Sequence, residues 1–323
     1  MIHKSVLLGF LMISFFRWSQ DRDLTQIDNI VSYYQEFSSV EELAKKIDYD
    51  FTTDLEKARA AFTWIATNID YINKNVLEVG NTKFYIVTDE EDYQRRIKKE
   101  DAKTVERVFR DRKALCKGYA LVFQKICDLL QIENEIILGY IKNSSHGIGF
   151  VPSEKNHAWN AIKIQDIWIF LDITMGSGYS YRGVWQSRFN EAFFDIKKEV
   201  IRNTHYPQED TWHQYLGSQS LEAFSELPFY SKAYFKDNFE IVNHKSGEIK
   251  TKKRKSIVMK VKGIDFGTKV YYKYGELGKL QSAEALFDGT LTRVNIESPK
   301  DNTILKIFFD GEEAISYKVI LEK

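Results

Sequence analysis

The stretch 114-ALCKGYALVFQKICDLLQI-132 carries both cysteines of the 323-residue chain, Cys116 and Cys127, inside one helical pattern. At 100° per residue Lys117, Gln124, Lys125, Asp128 and Gln131 fall on one narrow polar stripe, and Leu115, Tyr119, Val122, Phe123, Ile126, Leu129 and Leu130 fill the rest, so the helix is largely buried. Along such a helix the two cysteines stand about 16 Å apart. A disulfide needs its Cα atoms within about 7 Å, so both thiols are expected to be free. Cys127 lies three turns in and reads as a small apolar filler. Cys116 stands at the helix start, where unpaired backbone N–H groups and the positive end of the helix dipole favour a thiolate. Neither Ala114 nor Leu115 offers a capping oxygen, which leaves those donors for an anionic ligand or a developing oxyanion.

A thiolate needs a base, and of the six histidines His157 is the best placed. The segments 157-HAWNAIKI-164 and 167-IWIFLDIT-174 meet at Gln165-Asp166, a two-residue hairpin connection that pairs Ile164 with Ile167. Counting back along that register sets Trp159 opposite Asp172 and His157 one diagonal step away, about 7–8 Å by backbone and closer by side chain. The other pleat face carries Ala158, Ile162, Ile164, Ile167, Ile169, Leu171 and Ile173. Function is therefore expected on one face of the hairpin and core on the other. In a Cys-His-Asp arrangement the histidine keeps the thiol ionised and later protonates the leaving group, while the carboxylate orients the imidazole. The expected catalytic residues are Cys116, His157 and Asp172. Trp159 and Tyr119 are the expected substrate contacts, Trp159 either lining the acyl channel or covering the triad and in both cases excluding water.

Other polar candidates carry less. His205 and His213 flank Pro207 and Trp212, but with no HExxH, paired cysteines or clustered carboxylates they read as structural or loop residues, and no metal is expected. The segment 145-SHGIGF-150 lacks a P-loop lysine and reads as a turn beside the cleft, with His146 at its rim. No cofactor motif is present.

Working outward, 43% hydrophobic and 14% aromatic residues suffice for buried cores. Lys+Arg 46 balances Asp+Glu 46, so no overall field draws the chain to nucleic acid or an anionic membrane. The basic run 250-KTKKRKS-256 reads as a solvated strand edge. After MIHK the apolar run 5-SVLLGFLMISFF-16 is short of the roughly 20 residues that span a bilayer. It reads as an export signal over residues 1–20, giving a secreted or periplasmic protein without an integral span; if the run is instead a buried helix, the protein is cytoplasmic. From residue 24 to 75 the spacing is helical, with Ile27, Ile30, Val31 and Tyr34 on one stripe and Ala58, Ala61, Phe62, Ile65 and Ile69 on another. Capping boxes Ser39/Glu42 and Thr53/Glu56 mark helix starts. Residues 86–103 lose periodicity and read as a solvated loop or short helix. Past residue 235, short alternating segments every ten to twelve residues predict a small β-sandwich. The expected organisation is α+β: residues 21–238 form a helical N-terminal part and an antiparallel sheet, and 239–323 form the sandwich.

The order of Cys116 in LCKGYA, His157 in HAWN and Asp172 in FLDITMGSG resembles the transglutaminase-like superfamily, whose pattern is a G-x-C-x-G-Y-A helix start, an H-A-W-N strand and a D-A-T-W-G turn. The likeness covers roughly residues 54–216. Within it, 58-ARAAFTWIATNIDY-71 and 204-THYPQEDTWHQYL-216 are similar to segments flanking the core in the kyphoscoliosis-peptidase-like branch. Ala114 stands where a glycine is usual and Met175 where a tryptophan is usual. The resemblance implies a papain/transglutaminase-like core with Cys116, His157 and Asp172 as its triad. It also implies cysteine-dependent acyl transfer on a protein or peptide substrate, with hydrolysis expected over crosslinking. The alternatives are a protein-crosslinking transglutaminase and a non-catalytic extracytoplasmic binding module, of which glycan binding through the sandwich is one form.

Overall fold

A computed structural model describes residues 24–72, 89–181, 184–237 and 239–323. The export signal expected at residues 1–20 and the boundary at Asn238 fall outside them. Helices α1 (Thr25–Ser32), α2 (Val40–Asp50) and α3 (Asp54–Asn68) begin the chain. Thr53 and Glu56 form the full capping box expected at α3. At α2 only half of the box forms: the Ser39 hydroxyl accepts the Glu42 N–H at 3.2 Å, while the Glu42 carboxylate turns to the N–H and hydroxyl of Ser38. Helix α3 buries Ala58, Ala61, Phe62 and Ile65 completely, whereas Ile30 on the α1 stripe is exposed. Arg59 is also inside. Its guanidinium donates to Asp28 at 2.9 and 2.6 Å and lies against the rings of Phe62, Phe189 and Phe194, which ties α1 to α3.

Strand β1 (Asp70–Tyr71) precedes a single 22-residue helix, α4 (Glu90–Asp111), where the charge density had suggested a loop or short helix before residue 104. Asp89 caps it by accepting the Asp92 N–H at 2.8 Å, and three acidic residues fill its first turn. Asp92 pairs with Arg95 and Arg96 at helical spacing. Val105, Val108 and Phe109 anchor the far end in the core. Strand β2 (Lys113–Ala114) pairs in parallel with β1 and runs directly into α5 (Cys116–Leu129). A Cβ at Gly118 would lie 2.9 Å from Ala114 Cβ and 3.0 Å from Val108 Cγ2, so only glycine lets α4 pack this closely on the start of α5.

Next come strands β3 (Asn134–Ile141), β4 (His157–Ile164) and β5 (Ile167–Leu171), helix α6 (Ile173–Ser177), and the hairpin of β6 (Gly178–Tyr181) with β7 (Val184–Ser187). They are followed by β8 (Phe194–Ile196), α7 (Lys198–Thr204), β9 (His205–Pro207), α8 (Asp210–Leu216), α9 (Leu221–Ser225), β10 (Phe229–Tyr230) and α10 (Lys232–Asp237). The central sheet is antiparallel with the order β8-β5-β4-β3-β9. Ile164 pairs with Ile167 as the hairpin spacing predicts, with Gln165 and Asp166 at φ 51° and 65°. The division of the hairpin into a functional and a core face does not hold, because both faces are covered. On one, Asn160 donates to Ala120 O of α5. On the other, Trp212 of α8 packs on Trp168 and Phe170, and Trp159, Ala161, Phe170 and Asp172 are all buried.

The C-terminal part contains β11 (Glu240–Ile241), β12 (Glu248–Lys252), β13 (Ile257–Lys262), β14 (Val270–Tyr274), β15 (Gln281–Ser282), β16 (Glu284–Phe287), β17 (Thr292–Ile296), β18 (Thr303–Phe309) and β19 (Glu312–Glu322). One sheet runs β10-β19-β18-β14-β15 with β12 added in parallel beside β19, and the other runs β11-β13-β17-β16. Alternate residues point inward, Ile257, Met259, Val261, Val294 and Ile296 from one sheet and Leu305, Ile307, Phe309, Ile315, Tyr317 and Val319 from the other. In the basic run Lys250 and Lys252 lie exposed on β12 while Thr251 between them is buried. Strand β10 lies upstream of residue 238 yet pairs with β19, Phe229 opposite Ser316 and Tyr230 opposite Ile315.

The Asp28–Arg59 pair should matter to stability. Arg59→Met keeps an aliphatic stem among the phenylalanines but leaves the Asp28 carboxylate without its guanidinium. A loss of about 2–4 kcal/mol is expected, read as a lower urea midpoint with an unchanged slope.

Candidate active site

The uncapped start of α5 is the first ingredient. Leu115 occupies the cap position without a side-chain hydrogen bond, and Cys116 opens the helix half-buried, while Cys127 is wholly buried and its thiol is pushed up by that burial. Strand β4 begins at His157, whose Nε2 donates to Asp172 Oδ2 at 2.7 Å. The Cys116 thiol lies beside the same imidazole, close enough for the ring to act on its ionisation, and with Nε2 committed to Asp172 the ring nitrogen left for it is Nδ1. The three residues singled out from sequence therefore stand together in the order thiol, imidazole, carboxylate.

Asp172 follows β5 and caps α6, its Oδ1 accepting the Met175 N–H at 3.0 Å. It is completely buried. Burial opposes its charge, but the charge and hydrogen bonds of His157, with those of His205, hold its carboxyl well below the usual carboxylate range. Burial likewise opposes the imidazolium, yet Asp172 and then Cys116 push His157 up to about 10. Desolvation raises the Cys116 thiol; the hydrogen bond and charge of His157, helped by the Ala158 N–H, outweigh it and bring the thiol below its ordinary value. The directions all favour moving the proton from the thiol toward the imidazole, beside an ionised carboxylate.

The expected substrate contacts are corrected by their burial. Tyr119 and Trp159 are each 1% exposed. Tyr119 donates its hydroxyl to Ile69 O at 2.6 Å, and Trp159 lies beneath the imidazoles, 6.1 Å from His157 and 5.0 Å from His205 between ring centroids. Both support the site from behind. The half-buried residues near the thiol are Tyr71 and Trp185, with ring centroids 4.9 Å apart. Burial and the charges of Cys116 and Asp172 raise the Tyr71 phenol, which places this wall within electrostatic reach of the reacting group. His146 does not rim the site; it stands near Glu276 of the C-terminal sheets, and its turn packs there through Lys318, which donates to Ile148 O.

His205 is the residue the sequence reading undervalued. Its Nε2 reaches the same Asp172 Oδ2 at 3.1 Å. His213 turns away to Pro207 O, so the two do not converge. Pro207 was the available signal, since proline suits a sheet edge; the pairing of β9 with β3 was not readable across the long connection between them. His157, Asp172 and His205 offer ligand atoms within 4.8 Å of one another and are the described residues best placed to hold a metal ion. In this arrangement the two imidazoles stand at hydrogen-bond distance from the carboxylate, 2.7 and 3.1 Å.

Residues 41–173, which hold the thiol, imidazole and carboxylate of this site, match the family model of the transglutaminase-like superfamily. Among individual proteins the chain is similar to human kyphoscoliosis peptidase, 25% identical over 246 residues that make up 74% of this chain and 34% of the relative. It is also similar to Hillarin of Drosophila melanogaster, 20% identical over 213 residues, 61% of this chain and 23% of the relative. The chain thus spans about a third or less of the length of these curated relatives. A crystal structure of a TGase overlaps 57% of this chain and 41% of its own at 13% identity and a TM-score of 0.28.

Gly139 gives the site its room. A Cβ there would collide with Tyr206 O of β9 and lie 2.7 Å from the Trp159 ring. Gly139→Ala is expected to push β9 away and to cost about 1–3 kcal/mol by overpacking, measured by chemical denaturation.

Proposed function

We propose that the chain is a thiol-dependent acyl-transfer enzyme that hydrolyses protein or peptide amides. The observation that carries this reading is Cys116 at an uncapped helix start beside His157, which is itself hydrogen-bonded to the buried Asp172. The Cys116 thiolate attacks the amide carbonyl, forming an S–C bond while the carbonyl electrons move to oxygen. First-turn N–H groups of α5 face that developing charge. His157 gives its proton to the departing amine as the C–N bond breaks, leaving a thioester on Cys116. The neutral imidazole then takes a proton from water, whose oxygen attacks the thioester, and the thiolate leaves. Asp172 holds the ring throughout. Similarity to the human kyphoscoliosis peptidase favours water as the acceptor; a lysine amine in its place would make the same thioester a crosslinking intermediate. The apolar run 5–16 supports a place for the protein outside the cytoplasm, which fractionation of expressing cells would test.

At pH 6 iodoacetamide should alkylate Cys116 at least about tenfold faster than Cys127, and His157→Gln should remove that advantage. Equal slow labelling of both thiols would defeat the proposal. Hydrolysis should fall on the acid side as the thiolate takes up a proton. On the alkaline side it should fall near pH 10, as His157 loses the proton it must donate.

Casein incubated with a fluorescent primary amine separates the acceptors. Fragments without label are expected, and Cys116→Ala should abolish them. Labelled, uncut casein would identify the crosslinking reaction instead, and neither product alongside a slow-labelling Cys116 would point to the binding module.

A further inference from the structure

The Asp172 carboxylate has one more imidazole than a triad requires. Oδ2 receives His157 Nε2 at 2.7 Å and His205 Nε2 at 3.1 Å. His205 is completely buried on β9, with the Trp159 indole 5.0 Å away and the Phe235 ring perpendicular at 6.3 Å. An ionised carboxylate only accepts, so His205 Nε2 carries a proton. Its Nδ1 lies 2.8 Å from the Thr204 hydroxyl. Burial, helped by the charge of His157 and opposed by Asp172, lowers His205 and favours the neutral ring, whose Nδ1 then accepts the Thr204 proton. A histidine kept only for packing could satisfy Nε2 on any backbone carbonyl. Here that nitrogen is spent on the one oxygen that orients His157.

We propose that His205 is a positioning residue of the thiol site, which pins Asp172 and takes up part of its hydrogen-bonding capacity so that the carboxylate does not hold the His157 proton too tightly for transfer. The inference rests on the thiol chemistry proposed above. A general acid works best when its proton affinity is near the working pH, and Asp172 already draws His157 far toward the protonated side. A second N–H donor on the same oxygen weakens that pull, because the charge is divided between two partners. The ionisable groups facing His205 among the described residues are Asp172 and His157, with Cys116 beyond them. Asp172 sets the tautomer, and the Thr204 hydroxyl, 2.8 Å from Nδ1, has Val200 O at 2.9 Å as a second acceptor for its proton.

The test is an NMR titration of the His157 ring nitrogens in the full chain, together with peptide-amide kinetics. His205→Phe fills the space without a donor. It should move the His157 midpoint up by about half to one pH unit, and should lower kcat about tenfold with KM little changed. His205→Gln, which keeps an N–H donor, should restore the midpoint and most of kcat. If His205→Phe lowers only the melting temperature and leaves midpoint and kcat as in the wild type, His205 is packing and the proposal is wrong. Should that variant fail to fold, Thr204→Val leaves the ring in place and removes the hydroxyl partner of Nδ1. It must then move the midpoint in the same direction by less, and no movement overturns the proposal. The midpoint needs no turnover, so a shifted His157 in a protein without amidase activity would fault the proposed function and not the role of His205.

Discussion

A fully buried carboxylate is costly unless every lone pair finds a donor, and the site is arranged around meeting that demand at Asp172. One oxygen caps α6 through the Met175 N–H, and the other receives imidazoles from β4 and β9. These contacts fix the end of β5, the first residue of β4 and the edge strand against one another. Gly139 on the intervening strand supplies the space, since any side chain there would collide with β9 or with Trp159. The helix carrying Cys116 approaches from the other face of the sheet, and its thiol meets His157 at the end of the strand. The reactive pair is thus held by sheet register and helix ends, both of which are rigid.

The parts of this arrangement set by short-range rules were legible in the sequence. The Gln165-Asp166 turn fixes the register of β4 and β5, and that register brings His157 to Asp172 by counting alone. The uncapped helix start at Cys116 and the alternating C-terminal strands follow from equally local signals. The illegible parts depend on distant partners. Helix α4 hides in a charged run because only Val105, Val108 and Phe109 near its end face the core, while Asp92 and its arginines support the rest. Tyr119 and Trp159 look like channel residues until the Ile69 carbonyl takes the Tyr119 hydroxyl and the imidazoles of His157 and His205 lie against Trp159. His205 gains its meaning only when β9 pairs with β3, across more than sixty residues of chain.

The two cysteines show how far environment overrides residue type. Both lie on one helix, and both are free. About 16 Å of helix axis, at about 1.5 Å per residue, take the second from a dipole terminus with an imidazole partner to a site where burial, with the charge of Asp128, raises its thiol. A reagent or oxidant in solution therefore meets one chemically distinct sulfur.

Strand β10 and helix α10 reach across the joint between the two parts of the chain. Tyr230 pairs with Ile315 in the C-terminal sheet, while from α10 Tyr234 receives a hydrogen bond from Asn203 and Phe235 rests between Phe193 and His205. The sheets and the imidazole shell therefore share a wall. For modularity this means that the two parts are not interchangeable beads on a string: a graft spliced after residue 238 would bring a foreign sheet to a wall shaped for β19. Replacing the C-terminal part would accordingly change the surroundings of His205.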